Sequence, residues 1–392
     1  MKLFELVEEK TILLEYIKGE FNLSKFLVDV ISDTLQEFRI GNSLAVFGYG
    51  DKKSRTIIVV NSIHVPFIDE SNDFYDIYFP LEVVFKSMIM AANITSGMLS
   101  KNNHQEKKVE YWEHNFTNIK KAGINYALGK GNVYEIFSCF APNISSKKLA
   151  NLVENSFKDI ASMGRWGEEI YIFLVFGYNM FLHEHEQAHV NRKHVYANSA
   201  LKKIKKSNIE RYRKLHLGLE MDADITAFSR LNAYTMQYEV DFRTAMMHAK
   251  IEVKTNILDH TAMTSGSISG MISYMIYIMR SFRIFYMKQL ADPHHELNLR
   301  YYLMLNELRL NNIGHNGVSY IDFTEGLITC SNSMILFTTD KLIVNEKIIT
   351  ANCALPLCCT NEFALTHLLS LHPAYNASYD VLEKAMQWIE KI

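Results

Sequence analysis

Thirteen consecutive uncharged residues, Ile170 to Leu182, run without a break into His183-Glu184-His185-Glu186-Gln187-Ala188-His189-Val190. Such a run reads as a helix buried in a core, whose far end delivers polar groups to an interior. On a helix, residues four apart share a face, about 40° out of register, so His185 and His189 can each present an imidazole nitrogen to one metal ion. Glu186 is turned by about 100° from His185, which sets its carboxylate beside that ion, free to act as general base on an attacking water. His183 points about 200° away from His185 and is expected to be hydrogen-bonded or solvated rather than a ligand.

A second segment offers the ligand that two histidines leave missing. Ser207-Asn208-Ile209-Glu210 has the Ser-x-x-Glu form of a capping box, so a helix is expected to begin there and to continue through Leu231. On it His216, Glu220 and Asp224 fall at four-residue steps and form one polar stripe, while Leu215, Leu219, Ala223 and Ala227 form an apolar stripe beside it. Any of the three polar residues can complete the site, and those that do not ligate are placed to orient those that do. The expectation is a single zinc ion per chain. Glu186 and His189 also fit the Glu-x-x-His form of di-iron bundles, but these need two such elements, and no other histidine here has a glutamate three residues before it.

With both motifs in place, the chain resembles the HExxH metallopeptidases called gluzincins, in which a downstream Glu-x-x-x-Asp helix supplies the third ligand. The matching residues are His185, Glu186 and His189, then Glu220 and Asp224 within Glu-Met-Asp-Ala-Asp. The resemblance implies His185, His189 and Glu220 as zinc ligands and Glu186 as the catalytic base. Asp224 is expected to accept a hydrogen bond from a ligand histidine. His194 and the Ala-Asp ending look like the prenyl-protein and heat-shock membrane protease branch, to which the phage-exclusion (Lit-type) peptidases are soluble relatives. Ala291 to Arg300 is similar to that branch's His-Pro-x-x-x-x-Arg element, with His294 and Arg300 in register and His295 where proline is expected. This implies a substrate or oxyanion role for His294 and Arg300. As lone histidines, His194 and His260 are further oxyanion candidates, although such residues are more often structural. The resemblance spans residues 165 to 300 and implies hydrolysis of a peptide bond in a protein substrate.

The remaining text sets the frame. The fold class expected is α+β: a predominantly helical zincin-like core (106–310), an N-terminal α+β region (1–105) and a β-rich C-terminal section with a terminal helix (311–392). Residues 1–40 have helical spacing; Leu44 to Tyr49 and Thr56 to Val65 read as a hairpin. Lys101 to Lys108 is polar enough for a loop, and Tyr379 to Ile392 reads as a helix. A formal charge of -2 gives no reason to expect nucleic acid. Five scattered cysteines suit a reducing compartment, and acidic residues interrupt the apolar runs of the N-terminus, so a cytoplasmic protein is expected. Cys353, Cys358, His367 and His372 are spaced too tightly for a zinc finger. Thr261 to Met279 lacks formal charge but is rich in Ser, Thr and Gly, which suits a buried helix better than a membrane span. Two other readings are a zinc-stabilised binding module without turnover and a membrane-associated protease anchored by that segment. Glu186 argues against the first, because structural zinc needs no general base.

Overall fold

A computed structural model of the chain describes residues 1–6, 8–44, 53–60, 65–71, 73–99, 144–237, 272, 275, 276, 279, 280, 300 and 373–392. Among these residues the protein is mixed α+β, with helices dominant and one small sheet. In chain order the elements are β1 (Lys2–Glu5), α1 (Lys10–Phe21), α2 (Lys25–Leu44), β2 (Lys53–Val60), β3 (Phe67–Glu70), β4 (Phe74–Pro80), α3 (Leu81–Leu99), α4 (Ser146–Ser162), α5 (Arg165–Asn191), a 3₁₀ turn (His194–Ala197), α6 (Asn198–Ser207), α7 (Ile209–Gln237) and α8 (Pro373–Ile389).

The sheet has the order β1-β2-β4-β3, with β2 and β4 parallel and the outer strands antiparallel to their neighbours. From Thr56 to Val60, β2 is buried throughout, as expected of a β-branched central strand with packing on both faces. Ile58, Val60 and Phe79 join the same core as Leu13, Ile17, Leu27, Ile31 and Leu35 of α1 and α2 and as Val84, Phe85 and Met88 of α3. The first half of α5 closes that core, with Ile170, Tyr171, Leu174, Val175 and Phe181 buried. Helix α5 packs against α2, α3, α4, α7 and β4, so its apolar run has neighbours on every side. Gly177 allows one close approach: a Cβ there would lie 2.3 Å from Cδ1 of Ile272.

Three local expectations are corrected. Leu3 belongs to the strand β1, which pairs with β2 from Lys2↔Val60 to Glu5↔Ile57, so residues 1–40 are not wholly helical. Leu44 ends α2 rather than opening a strand, and 45–49 lie outside the described residues, so of the expected hairpin only the second arm is seen, as β2. Helix α7 is capped by Asn208, whose Oδ1 accepts from the Arg211 backbone N–H at 3.0 Å, while the Ser207 hydroxyl turns back to donate to the Lys203 and Ile204 carbonyls of α6. Both residues cap well; the serine is spent closing the preceding helix.

The C-terminal helix is present and begins earlier than expected, at Pro373. It lies on α7, where a Cβ on Gly218 would meet Cβ of Ala385 at 2.3 Å and the Val381 carbonyl oxygen at 2.8 Å. The loop at 101–108, the strands expected after residue 311, all five cysteines, His260 and His294 lie outside the described residues. Ile272, Met275, Ile276 and Met279 are helical and buried. Among the described residues no helix is long and apolar enough to cross a membrane.

Candidate metal centre

The last two turns of α5 and the middle of α7 face one another, and their polar side chains meet between them. His185 Nε2 and His189 Nε2 are 3.2 Å apart. Glu220 straddles the pair, with Oε2 3.5 Å from His185 Nε2 and Oε1 3.5 Å from His189 Nε2. Ligands about 2.0–2.2 Å from a tetrahedral zinc are separated from each other by about 3.4 Å. The three residues therefore converge as a group that could hold a metal ion, and two imidazoles with one carboxylate is a donor set that suits zinc.

Each histidine is also held from behind. His185 Nδ1 lies 2.8 Å from Asp224 Oδ1, an ion-pair contact outside ideal hydrogen-bond geometry. A proton kept on Nδ1 leaves Nε2 as the lone-pair donor, the tautomer that a ligand needs. His189 Nδ1 lies 3.0 Å from His194 Nδ1, and His194 Nε2 lies 3.1 Å from Asp222 Oδ2. The arrangement depends on Lys193, which adopts a left-handed conformation (φ 63°) after α5 and turns His194 back on the helix it follows. Arg192 completes the chain with a two-pronged contact to Asp222 at 2.8 and 3.0 Å.

Two arginines hold the acidic side. Arg300 is buried and reaches Asp224 at 2.7 Å (Nε–Oδ2) and 2.9 Å (Nη2–Oδ1), and Glu220 Oε2 at 2.8 Å through Nη1. Arg280 adds contacts of 2.7 and 3.0 Å to Asp224 and lies over the Phe181 ring at 5.4 Å. Arg300, for which the resemblance implied a substrate or oxyanion role, is placed against the carboxylates of α7. Arg280 was not singled out in the sequence at all. Its position at the end of an uncharged run beside buried carboxylates was the available clue, since a buried charge needs a partner.

These contacts set the protonation of the group. Burial disfavours a charged His185, but Asp224 and Glu220 outweigh it and hold the imidazolium up to about 9. Burial pushes His189 well below its ordinary value; Glu220 opposes this, while His185, His194 and His216 add to it. Burial raises Glu220, yet Arg300 and the two imidazoles hold its carboxyl well below the usual range. Asp224 is likewise raised by burial and carried well below that range by Arg280, Arg300 and His185. An incoming cation would displace a proton from His185 and meet carboxylates that are already ionised.

Glu186 follows His185 on α5 and is half-buried, as are His189 and Glu220, while His185 is buried. Its neighbours on the other side of the helix belong to the scaffold. Ser54 of β2 donates to Gln187 Oε1 at 2.9 Å, and His183 Nε2 lies 2.9 Å from the Thr56 hydroxyl with its ring stacked on Phe38. His183 is placed away from the metal-binding group, as its helical angle predicts.

Comparison with known proteins gives no match to any family model, curated protein or solved structure.

Proposed function

We propose that the chain is a zinc-dependent metallopeptidase that hydrolyses a peptide bond in a protein substrate. The observation that carries this reading is the convergence of His185, His189 and Glu220 at 3.2–3.5 Å, with Glu186 as the next residue on the same helix. Three protein ligands leave a fourth position for water and substrate, the arrangement of catalytic rather than structural zinc. The resemblance to gluzincins points the same way.

Zinc held there would supply Lewis acidity, polarising the scissile carbonyl and acidifying a water. The Glu186 carboxylate takes a proton from the attacking water as its oxygen bonds to the carbonyl carbon, and returns it to the amine as the C–N bond breaks. His185 and His189 keep their Nε2 lone pairs directed at the centre because Asp224 and His194 hold their Nδ1 edges. Glu220 is fixed by Arg300 through Oε2, which leaves Oε1 as its freer oxygen. The partial burial of the group on the α5–α7 interface strengthens these interactions.

The test is an unbiased comparison of protein fragments in cells expressing the chain or its Glu186→Gln variant at matched levels. New termini should appear with the parent and not with the variant. Identical fragment sets with equal zinc content would refute the peptidase reading.

A further inference from the structure

Residues 202–214 carry seven Lys and Arg and one acidic residue, Glu210, leaving 34 basic against 42 acidic residues in the rest of the chain. A protein whose remainder is acidic thus concentrates its positive charge on one helical hairpin, α6 and the start of α7. Lys202, Lys203, Lys205 and Lys206 are all exposed, as are Arg211 and Lys214. Among the described residues the apolar side of this hairpin is the one used in packing: Leu201 is buried with Ala197, Leu215, Leu219 and Ala385, and Ile204 packs against them. Among the described residues Lys214 is the one member with a carboxylate partner, Glu210 at 3.8 Å, itself exposed.

The charge is connected to the metal centre by side chains in sequence. Lys205 Nζ lies 4.9 Å from the Tyr212 ring centroid, and the Tyr212 and His216 rings are 5.4 Å apart. His216 precedes Glu220 by one turn of α7. Arg213 precedes Glu220 by seven residues, two turns on the same face, or about 10 Å along the helix. That length is covered by about three residues of an extended peptide. From the other end, the 3₁₀ turn that places His194 on His189 runs directly into α6.

We infer that the α6–α7 hairpin is a substrate-docking surface that selects protein segments carrying a block of acidic residues a few positions from the scissile bond. The inference rests on the peptidase reading for its placement of that bond. A short cluster flanked by an acidic remainder fits a short acidic segment better than a long polyanion, which would meet repulsion beyond the hairpin. Like-charged segments would be turned away, so the surface acts on choice of partner and on encounter rate more than on the chemical step.

The experiment uses the full-length, zinc-loaded Glu186→Gln variant, which leaves peptides intact, and measures fluorescence anisotropy of labelled peptides. One carries a glutamate block and the other has glutamine at the same positions. The glutamate peptide should bind about tenfold tighter at low ionic strength, with the advantage fading as salt is added. Changing Lys202, Lys203, Lys205 and Lys206 together to Gln should remove that preference without altering zinc content or melting temperature, and charge reversal to Glu should invert it. Equal affinity for the two peptides, or a preference that survives both lysine variants, would overturn the inference. So would tighter binding, through the same lysines, of a single-stranded oligonucleotide or of vesicles rich in anionic lipid. Cleavage separates this from the parent reading: a lysine-dependent acidic preference with no hydrolysis by the Glu186-containing protein removes the peptidase and leaves the docking surface. Hydrolysis that ignores the glutamate block does the reverse.

Discussion

The last two turns of α5 contribute histidines to two histidine–carboxylate groups, and the surroundings of the two are unlike. In the first group, His183 is stacked on Phe38 of α2 and bonded to Thr56 of β2, and Glu184 is paired with His183 and with Arg230 of α7. Both are almost wholly buried. Burial tends to raise the Glu184 carboxyl, and His183 and Arg230 reverse this to hold it below its ordinary value. Glu184 Oε2 meets Arg230, while among the described residues Oε1 has only the His183 Nδ1 edge at 3.7 Å, so neither residue of this group faces a shared centre. In the second group, the two Nε2 atoms and the Glu220 carboxylate meet one another, while their remaining atoms are occupied by Asp224, His194 and Arg300. The two ring nitrogens converge on Glu220, whose Oε2 also accepts from Arg300, and the three residues form a group that could hold a cation. Both groups combine histidine with carboxylate; the second is the less deeply buried, and the convergence of its ring nitrogens on one carboxylate distinguishes it.

The comparison is sharpened most by removing an arginine from each group. Arg300→Ala leaves Glu220 without its arginine and Asp224 with Arg280 and His185, in buried surroundings, and should cost about 3–5 kcal/mol of stability in chemical denaturation. It should also weaken zinc binding by roughly 10–100-fold, since the ligand carboxylate loses its support. Arg230→Ala should cost less, roughly 2 kcal/mol, because its side chain is 32% exposed and water can reach the gap. Zinc affinity should not change with it. Equal loss of affinity in both variants would remove the distinction between the two groups.

A smaller effect is expected from His183→Phe, which keeps the stacking on Phe38 but leaves the Thr56 hydroxyl without its imidazole partner. About 1–3 kcal/mol of stability should be lost, with zinc content unaltered. A zinc-depleted His183→Phe protein would place that residue in the metal centre after all.

The next effect depends on pH. Burial opposes ionisation of Asp222, but His194 and Arg192 hold its carboxyl below the ordinary aspartate value. A depressed folded value means that the unfolded chain takes up the proton first as pH falls. The contribution of Asp222 is therefore complete above its unfolded value, about 3.9, and is lost as pH falls through the folded one. Asp222→Asn should lower stability by about 1–2 kcal/mol at neutral pH, and the gap from the parent should narrow below about pH 4. A gap constant with pH would show that the carboxylate charge contributes nothing there.

Much of the centre was legible in the sequence because it depends on helical periodicity. The intervals from His185 to His189 and from Glu220 to Asp224 are each one turn, and an uncharged run before the first predicts burial. What periodicity cannot supply is the partner from another element. That His194 would return to His189 depends on one left-handed residue, Lys193, and that Arg280 and Arg300 would meet at Asp224 depends on how distant segments pack. β1 escaped notice because four residues are too few to separate a strand period from a helical one. The cap of α7 was misassigned by one residue because Ser207 and Asn208 are both good caps and only tertiary placement decides between them. The smallest predicted effect tests that choice: Asn208→Ala should cost about 1 kcal/mol and Ser207→Ala only a few tenths.

The central claim is that His185, His189 and Glu220 together hold one zinc ion. The most direct measurement is zinc per chain by elemental analysis, joined to X-ray absorption at the zinc edge, for the parent and for His185→Ala, His189→Ala, Glu220→Ala and His216→Ala. The account predicts about one zinc per chain in the parent, with two imidazoles and a carboxylate oxygen at about 2.0–2.2 Å. It predicts near-complete loss in either histidine variant, a marked weakening for Glu220→Ala and little change for His216→Ala. No zinc in the parent, or zinc retained at full occupancy without His185 and His189, would contradict it.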